Sequence, residues 1–217
     1  MSANNIFIRS EYRPDIDGLR ALAIISVVIF HAFPQFLPGG FVGVDVFFVI
    51  SGFLISRIIF KSLMEGNFSF FDFYSHRVKR IFPALIVVLV ACYAFGWHAL
   101  LPDEFKQLGK HMAAGAGFVA NFVLLSEAGY FDTASDLKPL LHLWSLAIEE
   151  QFYMFYPLFV WLVWRFQRGF FWPIMALVVI FFGINVFSVN QFPVLAYFSP
   201  QTRFWELLAG GLLACLN

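Results

Sequence analysis

Long apolar runs are the feature that most constrains how this chain can fold. Runs of about 20 residues, bounded by charged residues, proline or glycine, recur at 18–35, 41–60, 81–101, 142–164 and 170–189, and a shorter run extends from 204 to the end. An α-helix of that length crosses the hydrocarbon core of a bilayer. In lipid, every backbone polar group must be paired within the protein, which a helix does by itself. The pattern therefore predicts an all-α, polytopic membrane helix bundle of about six to seven spans.

The composition supports lipid as the solvent of this chain. Its 217 residues are 60% hydrophobic and 20% aromatic, and only 13% are charged. A soluble domain of this size cannot hide so much apolar surface from water. The net charge of +0 offers no general basic patch and argues against a nucleic-acid partner. Cys92 and Cys215 lie in separate apolar runs, so neither a disulfide framework nor a metal site is predicted.

The distribution of lysine and arginine predicts the orientation. The residues that should face the cytoplasm are Arg9, Arg13, Arg20, the basic segment 61–80, Arg165 and Arg168. This places the N-terminus in the cytoplasm and requires that 102–141 lie wholly outside. Within that segment, 112–125 is apolar but short, which indicates either a re-entrant segment or a short tilted span. The charge bias favours the re-entrant alternative.

Two ionisable residues of the first span are candidates for function. Arg20 and His31 are eleven residues apart, about three helical turns or 16 Å, so they share one face of a helix. Ionisable groups inside a membrane are costly and mark functional sites by default. An imidazole there could act as a base near neutral pH. The alternatives are an interface anchor for Arg20, paired with Asp17, and a polar cap for His31.

Asp45 is a candidate near the outer end of the second span. If the first two spans form an antiparallel hairpin, Asp45 should lie close to His31. A carboxylate in that place could orient the imidazole and stabilise its protonated form. An interfacial aspartate in contact with water is the alternative.

Arg77 and Arg80 lie one helical turn apart in the basic segment. Two guanidinium groups on one face at the cytoplasmic surface suit a polyphosphate or a nucleotide. The alternative is an ordinary topology signal, which this stretch by itself favours.

The stretch HLWSLAIEEQFYMFYP predicts a second helix with a polar face. His142, Ser145, Glu149 and Tyr153 are spaced to share that face, whereas Glu150 is expected to point well away from it. A charged Glu149 about 10 Å inside a span is costly without a partner or water. Near the end of the chain, the spacing of Arg203 and Glu206 predicts a structural ion pair.

Four stretches in order carry a family resemblance: YRPDIDGLRALAI with FHAF, GGFVGVDVFFVISGFLIS, FYSHRVKRIFPAL and HLWSLAIEEQFYMFYP. Together they closely resemble the transmembrane acyltransferase-3 family, and most of all its bacterial O-acetyltransferases of surface polysaccharides such as O-antigen, a part of lipopolysaccharide. The resemblance implies a multi-pass protein of the bacterial inner membrane. It implies transfer of an acetyl group from cytoplasmic acetyl-coenzyme A to a hydroxyl of an extracytoplasmic glycan or lipid-linked glycan, without a metal.

The resemblance also assigns roles to particular residues. The family's basic-residue-then-histidine motif matches Arg20 and His31, and its paired-arginine motif matches Arg77 and Arg80. Its glutamate in the tryptophan-containing helix matches the Glu149–Glu150 pair, without deciding between them. With Asp45 added for its expected place near His31, the expected catalytic residues are His31, Asp45, Glu149 and Glu150, and Arg20, Arg77 and Arg80 are expected to bind the donor.

Family members have more spans than this chain, and some carry a C-terminal hydrolase-like domain. We therefore expect residues 1–217 to be one transmembrane acyltransferase domain that is incomplete at its C-terminus, with a further domain or partner beyond it. Two alternatives stay open on the sequence: a multi-pass transporter of a small or lipid-linked substrate, and a non-catalytic fragment.

Overall fold

In a computed structural model, which describes residues 13–128, 138–167 and 169–216, the chain is a bundle of helices without strands in those ranges. Arg9 and Arg168 lie outside the described residues. A 3₁₀ turn over Gly40–Val42 leads into the second helix. The helices are α1 (Pro14–Ala32), α2 (Gly43–Met64), α3 (Phe70–Ala99), α4 (Pro102–Ala116), α5 (Ala120–Glu127), α6 (Leu143–Gln167), α7 (Phe171–Gln191), α8 (Pro193–Phe198) and α9 (Pro200–Cys215).

Several of these helices have the length that a bilayer requires. Among the described residues, three segments are both long and apolar enough to cross: Gly40–Met64, Phe70–Ala99 and Phe171–Gln191. Helices α1 and α6 have 19 and 25 residues, which also reach about 28 and 37 Å, but each carries charged side chains. The predicted all-α membrane bundle is confirmed, and the number of spans beyond these three stays a prediction.

Close contact between α2 and α9 forms the centre of the bundle. A Cβ atom added to Gly52 would lie 1.9 Å from the carbonyl oxygen of Leu207, and one added to Gly210 would lie 2.0 Å from that of Val49. Only glycine allows backbones to approach so closely. A similar close approach at glycine joins α2 to α1, because a Cβ atom on Gly43 would lie 2.3 Å from the carbonyl oxygen of Ala23. These contacts bring the polar faces of α1 and α2 together.

The basic segment 61–80 is largely helical rather than a loop. It comprises the last turn of α2 and the first three turns of α3, joined by a short turn that ends at Ser69. The Ser69 hydroxyl caps α3 by accepting a hydrogen bond from the backbone N–H of Asp72, at 3.3 Å. Arg77 and Arg80 are therefore held in fixed directions by a helix that continues into the apolar run.

The segment 112–125 is broken and is not one tilted helix. Helix α4 ends at Ala116 and α5 begins at Ala120, with Phe118 between them in the left-handed region at φ 54°. The amide nitrogen of Gln151 on α6 donates to the Phe118 carbonyl oxygen at 2.7 Å and supports this break. Helices of 15 and 8 residues are each too short to cross a bilayer. The placement of this segment outside the membrane stays a prediction.

Candidate functional site

A cavity of about 130 Å³ lies between α1, α2, α3 and α6. Its ionisable lining joins three of the predicted motifs, which are far apart in the sequence. Three guanidinium groups and two carboxylates leave one formal positive charge in excess. Hydroxyl groups of Ser51 and Tyr153 also reach the cavity. The charged side chains are Arg20, Arg77, Arg80, Glu149 and Glu150.

The paired arginines have few partners in the protein. The guanidinium carbon of Arg77 lies 3.8 Å from the ring centroid of Tyr153, in a cation–π contact. The Nε atom of Arg77 is buried and has no hydrogen-bond partner in the described structure. Arg80 is exposed at the edge of the cavity. Within the described ranges, neither arginine has a carboxylate at ion-pair distance. Both guanidinium groups are therefore available to an anionic ligand.

The two glutamates of α6 differ in their partners. Glu149 accepts a hydrogen bond from the hydroxyl group of Tyr153, one turn further along the helix, as the shared face predicted. Glu150 was expected to point away, and this is wrong, because both glutamates line the cavity. Successive helical residues differ by only about 100° in direction, and the cavity extends around that much of α6. The Oε1 atom of Glu150 is buried without a hydrogen-bond partner among the described residues.

His31 lies at the far end of α1 and does not line the cavity. Its Nδ1 atom is 2.8 Å from the carbonyl oxygen of Val27. Since a carbonyl oxygen can only accept, Nδ1 carries the hydrogen, and the neutral ring keeps its lone pair on Nε2. The ring packs edge-to-face against that of His142, with centroids 4.6 Å apart. His142 precedes α6 by one residue and lies four residues, or about 6 Å, before the cavity-lining Leu146.

Asp45 has a different partner from the one expected. Its Oδ1 atom accepts a hydrogen bond from Nη1 of Arg203 at 2.9 Å, and that nitrogen also donates to Glu206, at 3.0 Å. The structure shows no hydrogen bond between Asp45 and His31, both of which it describes. Arg203 lies 158 residues further along the chain, so helical spacing could not reveal it. The predicted Arg203–Glu206 pair is confirmed, as is the contact of Arg20 with Asp17, at 3.6 Å.

A second polar cluster was not found from the sequence. Glu127, at the end of α5, accepts hydrogen bonds from Lys110 at 2.7 Å, His111 at 2.8 Å and Lys138 at 3.2 Å. Burial by itself would raise the pKa of Glu127, but the hydrogen bonds from these three side chains lower it to about 2. The partners lie 11 to 17 residues from Glu127 and outside its helix α5, and no helical period predicts such contacts.

The chemistry available at the cavity is anion binding together with hydrogen bonding. Among the described residues, no three His, Cys, Asp or Glu side chains are arranged to hold a metal ion. The guanidinium groups of Arg77 and Arg80 can bind phosphate or carboxylate oxygens. His31, which lies outside the cavity lining and contacts the ring of His142, can accept a proton on Nε2.

Comparison with known proteins identifies the family to which the chain is similar. A family model described as an acyltransferase domain, acyltransferase-3, matches residues 13–217. A Staphylococcus aureus (strain MSSA476) protein named "Putative O-acetyltransferase SAS0844" is 38% identical over 218 residues, which cover 96% of this chain and 35% of that protein. The O-acetyltransferase OatA of Staphylococcus aureus (strain NCTC 8325 / PS 47) is 35% identical over 209 residues, covering 94% of this chain and 34% of OatA.

These relatives are much longer than the chain described here, which spans about a third of their length. No solved structure matches the chain. The family match nevertheless covers every residue that lines the cavity, as well as His31 and His142. A membrane helix bundle whose acyltransferase match runs from residue 13 to residue 217 belongs to the acyltransferase-3 family.

Proposed function

We propose that the protein is a membrane-embedded O-acetyltransferase of the bacterial inner membrane. It would take an acetyl group from cytoplasmic acetyl-coenzyme A and transfer it to a hydroxyl of an extracytoplasmic glycan or lipid-linked glycan. The observation that carries the proposal is the cavity in which Arg77 and Arg80 have no carboxylate partner in the described structure. The names of the relatives support acetyl as the group transferred.

The donor's anionic end would bind at the paired arginines. Acetyl-coenzyme A carries several phosphate groups at one end and its thioester at the other. Guanidinium groups match phosphate oxygens in geometry and charge, and Arg80 is exposed where a soluble donor can reach it. Arg20 adds a third positive charge to the lining. The thioester end would then extend through the cavity toward Leu146 and the two histidines.

His31 would act as the general base. The acceptor hydroxyl would give its proton to Nε2 of His31 while its oxygen attacks the carbonyl carbon of the thioester. The carbon–sulfur bond then breaks, the acetyl group stays on the acceptor oxygen, and the coenzyme A thiolate takes a proton. Val27 would hold the ring in the required tautomer through Nδ1. Glu149 and Glu150 are the alternative bases, and Asp45 would act only at a distance, through its pair with Arg203.

The proposal requires that the N-terminus and the start of α3 lie in the cytoplasm and that α4 lie outside. Single cysteines at Glu65 and Asp103, in a protein whose Cys92 and Cys215 are replaced by serine, test this with a membrane-impermeant thiol reagent. We expect labelling of the Glu65→Cys protein only from the cytoplasmic side and of the Asp103→Cys protein only from the other. Labelling of both from one side would overturn the orientation.

The activity is tested with the purified chain in lipid nanodiscs, by following release of the coenzyme A thiol from acetyl-coenzyme A with and without a glycan acceptor. We expect donor binding and thiol release. Movement of a substrate across a vesicle membrane without acetyl transfer would support a transporter. Absence of both donor binding and transfer would show that the chain is a non-catalytic fragment. A further C-terminal domain or partner, which the longer relatives suggest, would raise transfer to the glycan.

A further inference from the structure

The ring of His31 is held by three neighbours. Its Nδ1 atom is hydrogen-bonded to the carbonyl oxygen of Val27, and its ring packs edge-to-face against those of Phe30 and His142, with centroids 5.1 and 4.6 Å apart. Both histidines are exposed, and an exposed side chain without such contacts changes rotamer within nanoseconds. Val27 and Phe30 belong to the same helix as His31, so His142 is the neighbour that another element brings to the ring.

His142 is attached to a firmly held turn at the start of α6. The hydroxyl group of Ser145 donates to the backbone carbonyl oxygen of His142 at 3.1 Å, and the backbone N–H of Trp144 donates to that of Leu141 at 3.1 Å. The Trp144 side chain is buried and packs against the ring of Tyr197, with centroids 4.6 Å apart. His142 therefore presents a fixed surface to the ring of the first helix.

No carboxylate takes the place of His142 beside His31. A histidine that acts as a base is commonly oriented by a carboxylate, but Asp45 is hydrogen-bonded to Arg203 instead. Within the described ranges, no charged side chain lies at ion-pair distance from either histidine ring, and neither nitrogen of the His142 ring makes a hydrogen bond. Two positive charges so close together would repel each other, so His142 stays neutral while His31 holds a proton.

We infer that His142 is a positioning residue for His31. Its ring and the carbonyl oxygen of Val27 together hold the His31 ring in one orientation, with Nε2 directed at the acceptor hydroxyl. His142 acts through His31 and does not itself carry the proton. The inference rests on the proposed function, since it takes His31 as the general base. Because a misplacement of about 1 Å can slow a reaction about 100-fold, such a contact affects the rate without touching the substrate.

The first test measures acetyl transfer by the full chain in nanodiscs, with an extract of bacterial membranes as the source of lipid-linked glycan. His142→Ala removes the ring, and kcat should fall about 10- to 100-fold while KM for acetyl-coenzyme A changes less than about 2-fold. His142→Phe restores a flat ring without nitrogen and should keep kcat within about 3-fold of the unaltered protein. His142→Leu has similar bulk but no flat ring, and its kcat should fall as in His142→Ala.

His98→Ala is the matched control. His98 is exposed near the end of α3, as His31 is near the end of α1, and the described structure shows no ring contact for it. Its replacement should leave kcat and KM unchanged.

The second test observes the ring of His31 directly, by nitrogen-15 NMR of histidine-labelled protein at mildly alkaline pH, where imidazole is neutral. The signals of His31 are identified by their loss in His31→Gln. We expect hydrogen on Nδ1 only in the unaltered protein and in His142→Phe. In His142→Ala the ring is free to turn, and both tautomers should appear.

The outcomes separate the inference from the proposed function. A kcat for His142→Ala equal to that of the unaltered protein, or an unchanged nitrogen spectrum, would overturn the inference alone. Loss of transfer in His142→Phe as large as in His31→Gln would show that His142 carries a proton, which also overturns it. If His142→Ala does not fold, the comparison of His142→Phe with His142→Leu decides. Absence of transfer in the unaltered protein would overturn the proposed function and the inference with it.

Discussion

Two polar regions of this bundle differ in whether their buried charged groups have hydrogen-bond partners within the protein. Around Glu127, one carboxylate accepts hydrogen bonds from three side chains. Around the cavity, Arg77 and Glu150 each keep a buried polar atom without a partner in the described structure.

We expect this difference to separate charges that hold the fold from charges that serve a ligand. An ionised group taken out of water is stable only when another group replaces the water. Glu127 receives that replacement from Lys110, His111 and Lys138 of the same chain. Among the described residues, the Nε atom of Arg77 and the Oε1 atom of Glu150 receive no such replacement. Four variants test this separation.

The largest effect should follow from changing His31, which has one nitrogen bonded to Val27 and the other available. His31→Gln keeps a polar side chain but cannot take a proton, so acetyl transfer should fall by about 10²- to 10⁴-fold. Donor affinity and the unfolding temperature should change little. Both are measured with the purified variant, by equilibrium binding of acetyl-coenzyme A and by thermal unfolding.

His76 provides a matched control for His31. Its Nδ1 atom contacts the carbonyl oxygen of Asp72, four residues earlier, at 2.6 Å, in the same way as His31 contacts Val27. His76→Gln should retain normal transfer. Near-normal transfer by His31→Gln would place the base elsewhere, and Glu149 or Glu150 would then be the leading candidate.

A smaller effect is expected from the paired arginines. Replacing both Arg77 and Arg80 by alanine should weaken acetyl-coenzyme A binding by about 10- to 100-fold, since charge-assisted hydrogen bonds to the donor are lost. The unfolding temperature should fall only modestly, because the cation–π contact of Arg77 with Tyr153 is lost but no ion pair within the described structure is broken. Arg165→Ala, at an exposed position near the end of α6, is the control. Unchanged donor affinity in the double variant would reduce the two arginines to topology signals.

Glu127 should show the reverse behaviour. Glu127→Gln should lower the free energy of unfolding by about 1–3 kcal/mol, because three donors lose a charged acceptor, and should leave donor affinity unchanged. The lowered pKa of about 2, against an ordinary 4.5, means that this stabilisation is present above about pH 4.5 and is lost as the pH falls toward 2.

Unfolding measured between pH 7 and pH 3 checks the sign of that dependence. The unaltered protein should lose more stability on acidification than Glu127→Gln does. Equal losses in the two proteins would show that the cluster does not depend on the charge of Glu127.

The smallest effect is expected at Asp17, whose contact with Arg20 at 3.6 Å is largely exposed. Asp17→Asn should change the free energy of unfolding by less than about 1 kcal/mol, as is usual for surface ion pairs. Donor binding should be retained, because Arg20 still lines the cavity. Destabilisation as large as that of Glu127→Gln would show that burial does not explain why the Glu127 cluster stabilises the fold more than the Asp17–Arg20 contact does.

Some of the site could be predicted from the sequence because it depends on one helix at a time. The Arg203–Glu206 and Asp17–Arg20 pairs follow from a spacing of three residues, and the Tyr153–Glu149 hydrogen bond from a spacing of four. The predicted direction of the Glu150 side chain was wrong for a related reason. Spacing gives the angle around a helix, but not how much of that helix the cavity surrounds.

Other features depended on which helices meet. Asp45 was placed beside His31 on the assumption of a simple hairpin, whereas α9 brings Arg203 to it. His142 was recognised on the polar face of α6, but its contact with His31 was not, because nothing in either helix specifies the other. Glu127 likewise meets Lys110, His111 and Lys138 from outside its own helix, so helical spacing could not predict the cluster.

By itself, the sequence determined that this chain is an all-α membrane protein, which residues share a helical face and which family it resembles. Those properties follow from the thickness of the bilayer, from the 3.6-residue period and from motifs within single helices. Only the tertiary structure decided that Arg20, Arg77 and Glu150 line one cavity and that Asp45 accepts a hydrogen bond from Arg203. The physical reason is that helices in lipid associate through close packing of small residues such as Gly52 and Gly210, whose partners lie far along the chain.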